Sequence, residues 1–224
     1  EVVRLVTPGT LTEDSLLEAR RHNFLAAYAD IRGDGALAWT DISTGAFHVM
    51  ACPLVRLGPE LARLGAREVL VADGLDQAAM QVLEETGAAI APLSPASFDS
   101  RSAETRIQSL FQVKSLDAFG QFSRADLSAM GAIVDYLEIT QRGKLPLLRP
   151  PVREAQGSAM QIDAATRRNL ELTSALAGGR AGSLLATIDR TITAAGARLL
   201  ERRLSSPSTQ ADVIQGRLDS IGFF

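Results

Sequence analysis

The chain has 224 residues, of which 46% are hydrophobic and 5% aromatic, enough for one large domain or two small ones. Its formal net charge of −3 excludes a uniformly basic nucleic-acid-binding protein. The single cysteine, Cys52, excludes an intramolecular disulfide and indicates a reducing compartment, and no apolar stretch reaches the ~18–20 residues of a membrane span.

The charge is unevenly distributed along the chain. Residues 1–150 hold 14 Lys/Arg against 19 Asp/Glu, a balance of −5, whereas residues 151–224 hold 9 against 7, a balance of +2. This asymmetry permits a weak DNA-facing surface in the C-terminal part but does not require one.

The first half of the sequence alternates between strand and helix patterns after an extended start with a turn at Thr7-Pro8-Gly9. A tight turn containing Gly33 and Gly35 separates the first two strands, which predicts an antiparallel meander of three strands. The order β-β-β-α-β-α-β predicts a mixed five-stranded sheet with helices on its faces. The predicted strands cover residues 24–31, 36–42, 46–52, 68–72 and 88–93, and the predicted helices cover 12–22, 55–65 and 75–87.

From residue 97 onward the strand signal nearly vanishes and helical patterns dominate. Ser123 is a predicted N-cap, and prolines between 146 and 151 predict an extended connector. The architecture is therefore an α/β domain to roughly residue 115, followed by an all-helical segment. Helices are predicted at 101–112, 124–141, 163–176, 183–189, 194–205 and from about 209.

No motif for catalysis or cofactor binding stands out. The glycine-rich run at 178–183 lacks the lysine of a phosphate-binding loop and links two helices. His22, His48 and Cys52 cannot form a structural zinc site, and no G-x-S-x-G is present. We interpret His48 as a packed or rim residue and Cys52 as a buried thiol.

Carboxylates supply the main enzymatic alternative, a metal-dependent nuclease of the ribonuclease H-like fold, which needs converging acids. The candidates are Asp30, Asp41, Asp73 and Glu60. The first two strands run antiparallel, so Asp30 and Asp41 are expected at opposite edges of the sheet. Glu60 is expected on the side of its helix that points away from the sheet. A free-standing helical adaptor unrelated to DNA is a third possibility.

Paired arginines mark the C-terminal half. Arg167 and Arg168 lie in a predicted helix, where Arg167 can pair with Glu171 at i,i+4, and further arginines flank the leucines of residues 197–204. We interpret these arginines as a solvated, locally paired face, because no aromatic side chains interleave with them to form a stacking platform.

MQIDAATRRNLEL (160–172) and LLATIDRTITAAGARLLERRL (184–204) resemble the lever domain of the MutS family, the bacterial DNA mismatch-recognition ATPases. VVRLVTPGT (2–10) resembles the passage from the mismatch-reading domain into the connector domain, whose first helix and strands are similar to 16–28 and 39–49. The resemblance spans nearly the whole chain in the order and spacing of the family.

The resemblance implies a linker at 1–10, a ribonuclease H-like connector domain at 11–115 and the N-terminal part of the helical lever domain at 120–224. It implies a non-catalytic piece that relays conformational change between the ATPase and DNA-binding parts and docks MutL. The longer protein is expected to be bacterial, cytoplasmic and homodimeric. ATP and Mg²⁺ would bind in an ATPase domain after Phe224. Mismatched double-stranded DNA would bind through the full-length protein. No catalytic, cofactor or metal residue of the family falls within this chain.

Both ends of the sequence are expected to be cuts in a longer protein, since it opens without methionine and ends inside an amphipathic pattern. Arg203 and Ser208 stand where family members often carry Trp and Leu. A shortened lever would expose apolar stripes such as Leu199, Leu200 and Leu204, so we expect self-association. A clean monomer in light scattering at high concentration would contradict this expectation.

Overall fold

The computed structural model describes residues 5–10, 18–141, 145–155, 157 and 159–223. The chain divides into two compact units. Unit 1 comprises Glu1–Glu18 and Asn23–Glu154, and unit 2 comprises Ala19–His22 and Ala155–Phe224. Among the described residues, no helix combines the length and the apolar character that crossing a bilayer requires.

Unit 1 is built on a six-stranded mixed sheet with the order β5-β4-β1-β2-β3-β6. β1, β2 and β3 form the predicted antiparallel meander, β4 and β5 are parallel to β1, and β6 is parallel to β3. The mixed sheet with helices is thus confirmed. The strands are β1 (Phe24–Ile31), β2 (Asp34–Asp41), β3 (Ala46–Ala51), β4 (Glu68–Ala72), β5 (Ala89–Leu93) and β6 (Val152–Arg153).

The number of strands differs from the predicted five, because Val152–Arg153 adds a sixth strand at the β3 edge. This segment lies just after the prolines of the predicted connector. Two residues are too few to show an alternating pattern, and their strand geometry arises only through pairing with His48 and Val49.

Both faces of the sheet are covered by helices, which explains the continuous apolar strands. Alternate residues of β1 point to opposite faces: Ala26 and Tyr28 pack with α1 (Leu54–Leu64) and α2 (Gln77–Glu84). Leu25 and Ala27 pack with α3 (Ser100–Phe111) and α4 (Arg124–Thr140).

The position of α4 differs from the sequence prediction, which placed everything from residue 120 in the helical segment. α4 belongs to unit 1 and is buried at 12 of its 17 positions, between the sheet and α3. Ser123 begins the helix in a capping box with Asp126, as its N-cap position predicts. The loss of strand signal after residue 97 marks a change of secondary structure within one compact unit.

Unit 2 is helical in its described part. A backbone bond from Met160 N–H to Pro207 O joins its first segment to the end of α7. The predicted helix at 163–176 ends early, because Glu171 adopts a left-handed φ of 47°. The helices are α5 (Ala164–Asn169), α6 (Leu184–Ile188), α7 (Ala194–Ser205) and α8 (Ala211–Phe223).

The predicted helix at 12–22 falls largely outside the described residues, which resume at Glu18. Residues 19–22 form a turn and a bend rather than a helix, and they belong to unit 2.

Candidate docking and relay sites

The carboxylates of Asp30 and Asp41 serve local structure. Asp30 accepts a hydrogen bond from Gly33 N–H (2.8 Å) in the first turn. Asp41 accepts hydrogen bonds from Ser43 N–H (3.0 Å) and Ser43 Oγ (2.6 Å) in the second. Across the ribbon Asp30 faces Gly35 and Asp41 faces Phe24, at opposite ends of β1 and β2. Asp73 follows β4 and donates its backbone N–H to Leu93 O. Over the described ranges, no three His, Cys, Asp or Glu side chains are placed to hold a metal ion.

Glu60 is buried, although the sequence places it on the side of its helix that points away from the sheet. Its carboxylate pairs with Arg56 (2.7 Å) and with Arg63 (2.6 Å), both on α1. Arg63 also pairs with Glu154 (3.2 Å), and its guanidinium carbon lies 5.5 Å from the centroid of the Trp39 ring. We call Glu60, Arg56, Arg63 and Glu154 the Glu60 cluster; it ties α1 to the sheet at its β6 edge.

His48 and Cys52 are packing residues. The His48 ring stacks on Trp39 with a centroid separation of 5.4 Å and an interplanar angle of 13°. Cys52 is fully buried, and burial above all, with Glu60 contributing, raises the pKa of its thiol to about 12. The thiolate needed for nucleophilic or redox chemistry is therefore not formed near neutral pH.

A buried carboxylate in unit 1 collects donors from two distant segments. Glu68 opens β4 and is 3% exposed. Its Oε2 accepts hydrogen bonds from Thr7 Oγ1 (2.6 Å) and Gly9 N–H (2.9 Å), and its Oε1 accepts one from Tyr136 Oη (2.8 Å) on α4. In the described part of the chain, its partners are these three donors and no cation.

The two buried tyrosines of unit 1 are expected to respond differently to removal of their hydroxyls. Tyr136→Phe deletes a bond to a carboxylate and should lower the free energy of unfolding by about 1.5–3 kcal/mol. Tyr28 Oη is buried with no hydrogen-bond partner among the described residues, so Tyr28→Phe should be neutral or slightly stabilising. Urea unfolding of both variants checks this, and equal losses would contradict it.

Because of these two buried phenols, we also expect the free energy of unfolding to fall at alkaline pH. Burial above all raises the pKa of Tyr28 and of Tyr136 to about 12. Because the folded state disfavours ionisation of these phenols, the free energy of unfolding is maintained below the ordinary pKa of about 10 and falls as the pH rises to about 12.

Asp189 is the polar centre of unit 2. Its carboxylate accepts hydrogen bonds from Thr191 Oγ1 (2.6 Å) and Thr191 N–H (2.9 Å). It also pairs with Arg20 (3.0 Å) and Arg180 (2.7 Å). Two further contacts hold the turn at 19–22: Arg198 donates to Ala19 O, and Arg21 pairs with Glu201 (3.5 Å). Unit 2 thus binds a four-residue segment that lies far away in the sequence.

Asp189→Asn is expected to destabilise unit 2 at pH 7 and at pH 4 alike. The Thr191 hydroxyl and backbone N–H, followed by Arg20, hold the pKa of Asp189 well below its usual range. A depressed pKa contributes stability above the unfolded value of about 3.9 that is lost only as the pH falls through the folded value. Urea unfolding at pH 7, 4 and 3 measures the difference in free energy of unfolding between the parent chain and Asp189→Asn. This difference should become smaller only below pH 4.

The matched control is Asp219→Asn on the exposed α8, where the carboxylate accepts a hydrogen bond only from Gln215 in the described structure. This change should alter stability little at any of the three pH values. Equal effects of both substitutions would show that Asp189 has no special role.

The arginine pair of α5 is split between core and surface. Arg167 is 7% exposed, so the prediction of a solvated side chain is wrong for it, whereas Arg168 is exposed as predicted. The carboxylate of Glu171 accepts a hydrogen bond from Leu176 N–H (2.6 Å) in the following turn.

In the glycine-rich run, Ser183 caps α6 by accepting a hydrogen bond from Ala186 N–H.

α3 presents a polar face on a rigid base. Ala103 and Ile107 face the core, and Arg106 binds α4 through Asp135 (2.9 Å) and the carbonyl of Gly131 (3.3 Å). The exposed side chains on and just after this helix are called the α3 surface. They are Arg101, Ser102, Glu104, Thr105, Ser109, Gln112 and Lys114.

α8 carries five of the exposed large apolar residues described in unit 2 and has no buried residue in its described length. Of the stripe predicted on α7, Leu199 is exposed, whereas Leu200 and Leu204 are half-buried. Self-association stays a prediction, with α8 as its main surface. The exposed set on α8 is Val213, Ile214, Leu218, Ile221 and Phe223.

These features define a class of protein: an α/β domain with a rigid polar surface, followed by a helical unit. In the described residues, Glu68 accepts buried hydrogen bonds, and Glu60 and Asp189 form ion pairs. The family model for MutS domain II matches residues 23–149, and the model for MutS domain III matches residues 165–224.

Curated relatives share the whole chain. It is 67% identical over 223 residues to the DNA mismatch repair protein MutS of Cereibacter sphaeroides (strain ATCC 17025 / ATH 2.4.3), covering 100% of this chain and 25% of the relative. The MutS protein of Paracoccus denitrificans (strain Pd 1222) is 67% identical over 219 residues, covering 97% and 24%. That of Ruegeria pomeroyi is 62% identical over 224 residues, covering 100% and 26%.

The chain belongs to the MutS family and matches its domains II and III, which are non-catalytic. It spans about a quarter of the length of the curated relatives it matches. The end of the domain II match at residue 149 agrees with the inclusion of α4 in unit 1.

Proposed function

We propose that this chain relays conformational change within a DNA mismatch-repair ATPase and docks MutL through unit 1. The observation that carries this proposal is the match of both units, in order, to two adjacent domains of mismatch repair proteins. The relatives are about four times as long. We assign ATP hydrolysis with Mg²⁺, mismatched double-stranded DNA binding and homodimerisation to the whole cytoplasmic protein.

The domain roles follow the same proposal. Unit 1 acts as the connector domain, and its antiparallel meander followed by α-β-α-β supports the ribonuclease H-like label. Unit 2 acts as the first part of the lever domain, and residues 1–10 act as the linker from a mismatch-reading domain. We extend the connector from its predicted end at residue 115 to include α4.

The α3 surface suits a docking role because its base is fixed. Arg106 and the close packing of α3 on α4 hold the helix in place, so a partner would meet a preformed surface. Its exposed residues include both signs of charge, and such groups set specificity and association rate more than raw affinity.

Capture of MutL by the immobilised chain tests the docking proposal. The parent sequence should capture MutL, and the double change Arg101→Glu, Lys114→Glu should weaken capture at least about tenfold, as reversal of rim charges across an interface does. The control Glu84→Lys lies on α2, on the other face of the sheet, and should bind normally. Unchanged capture by the α3 variant would exclude this surface, and no capture by the parent chain would reject the docking role.

A further inference from the structure

We propose that Glu68 is the latch residue that fastens the incoming N-terminal segment to the sheet of unit 1. The Glu68 latch consists of Glu68, the turn Thr7–Thr10, and Tyr136. This inference deepens the proposed relay and rests on it for its functional meaning, but its geometry stands independently.

The turn at 7–10 is preformed to fit the carboxylate. Thr10 donates its N–H to Thr7 O (3.0 Å), and Thr7 donates its N–H to Thr10 Oγ1 (2.9 Å), which closes the turn on itself. This closure directs Thr7 Oγ1 and Gly9 N–H together at one oxygen of Glu68. Two donors from one turn on one carboxylate oxygen give a charge-assisted contact that neutral partners would not match.

Gly9 is required at this point because the backbone passes too close to the carboxylate for a side chain. A Cβ at position 9 would lie 2.9 Å from Glu68 Cβ, 2.9 Å from Glu68 Oε2 and 2.9 Å from Leu25 Cδ1. Contacts this short force the turn or its neighbours to shift. The site therefore selects both a carboxylate on the sheet and a glycine in the turn.

The latch connects the segment to the structural centre of unit 1. Glu68 lies in β4, between β1 and β5, and the other carboxylate oxygen is bonded to Tyr136 on α4. A second attachment, from Leu5 N–H to Thr140 O (3.0 Å), joins the same segment to the end of α4. A displacement of the segment is therefore transmitted to the sheet and to α4 together, and releasing the turn would leave a buried carboxylate short of two donors.

Amide hydrogen exchange of the 224-residue chain tests the latch. Glu68→Gln removes the negative charge and replaces one accepting oxygen with an NH₂ group. Thr7, Gly9 and Tyr136 all donate to this side chain in the parent protein. We expect the amides of Gly9 and Thr10 to exchange at least about tenfold faster, as loss of a hydrogen bond to a charged group implies. The amides of β1 should keep their protection, because the latch opens locally.

Two further variants separate a latch from general stabilisation. Gly9→Ala keeps the carboxylate but blocks the turn, so it should release residues 7–10 to the same extent as Glu68→Gln. Glu84→Gln makes the same chemical change at an exposed site and should leave the exchange unchanged. Unchanged exchange of the backbone amides at positions 9 and 10 in both latch variants would overturn the proposal, and so would equal loss of protection in β1.

The same samples distinguish failure of the latch from failure of the proposed function. Latch variants should still capture MutL as well as the parent chain does, since the α3 surface is intact. Faster exchange in the variants without any capture by the parent chain would retain the latch and reject the docking role. Normal capture of MutL by the parent chain, with unchanged amide exchange in the latch variants, would retain the docking role and reject the latch.

Discussion

Gly131→Ala is expected to destabilise unit 1 by about 3 kcal/mol, near the upper end of what overpacking of a core costs. An added Cβ at this position would lie closer than 3.0 Å to both the Cβ and the Cα of Ala103 on α3. Helix propensity acts in the opposite direction, since alanine is favoured over glycine by about 1 kcal/mol in a helix interior. The steric term is larger because one of the atoms met is backbone, which cannot rotate away.

Thermal unfolding measures this effect, and a loss of about 3 kcal/mol corresponds to roughly 6–12 °C in a unit of about 150 residues. Gly216→Ala is the matched control, because the same substitution in α8 meets nothing within 4 Å. It should stabilise its helix by up to about 1 kcal/mol. The double variant Ala103→Gly, Gly131→Ala should recover part of the loss, since it removes one of the two close contacts.

A functional consequence follows from the same substitution. Separation of α3 from α4 would displace the α3 surface without altering any residue on it. Under the proposed docking role, Gly131→Ala should therefore capture less MutL than the parent chain at temperatures where both proteins are folded. A Gly131→Ala protein as stable as the parent would show that the packing of α3 on α4 leaves room for an added methyl group.

Arg63→Ala is expected to cost about 3 kcal/mol, at the lower end for breaking a buried ion pair. Arg63 is 11% exposed in its side chain and Glu60 is 9% exposed, so solvent screens their contact little. Glu60 keeps Arg56 as a partner, which limits the loss. Glu154 and the face of Trp39 also lose their cationic neighbour.

Tryptophan fluorescence gives a local readout of this change, because Trp39 is the only tryptophan in the chain. Its emission should shift in Arg63→Ala under native conditions, and urea unfolding should report the lost stability. Arg101→Ala, on the exposed α3 surface, should stay within about 0.5 kcal/mol of the parent with unchanged emission. A similar small effect at both positions would mean that the Glu60 cluster contributes nothing to stability.

Local patterns in the sequence were sufficient for most elements. β1, β4 and α7 were predicted with the bounds that the structure has, because alternating or periodic apolar residues and the turns around them act over short distances. The N-cap at Ser123 follows from a side-chain oxygen three residues before a free N–H, whereas Ser183, predicted as the first residue of a helix, is the N-cap of α6.

The candidate sites were less visible, since their partners are distant in the chain. Glu68 carried one signal, a charge opening an otherwise apolar strand, and Asp189 carried another, an Asp-x-Thr after a short helix. Neither signal indicates which residues form hydrogen bonds or ion pairs with these carboxylates. Glu68 meets donors 61 and 68 residues away, and Asp189 meets Arg20 at a separation of 169 residues.

The sequence by itself determined the family, most of the strands and helices and the N-cap at Ser123, because each depends on residues close together or on a pattern spread over the whole chain. Only the tertiary structure decided that α4 packs on the sheet, that β6 joins its edge, and that Arg167 is buried. It also decided which donors surround Glu68 and Asp189. Those outcomes depend on burial and on contacts between distant segments, which no local pattern of residues specifies.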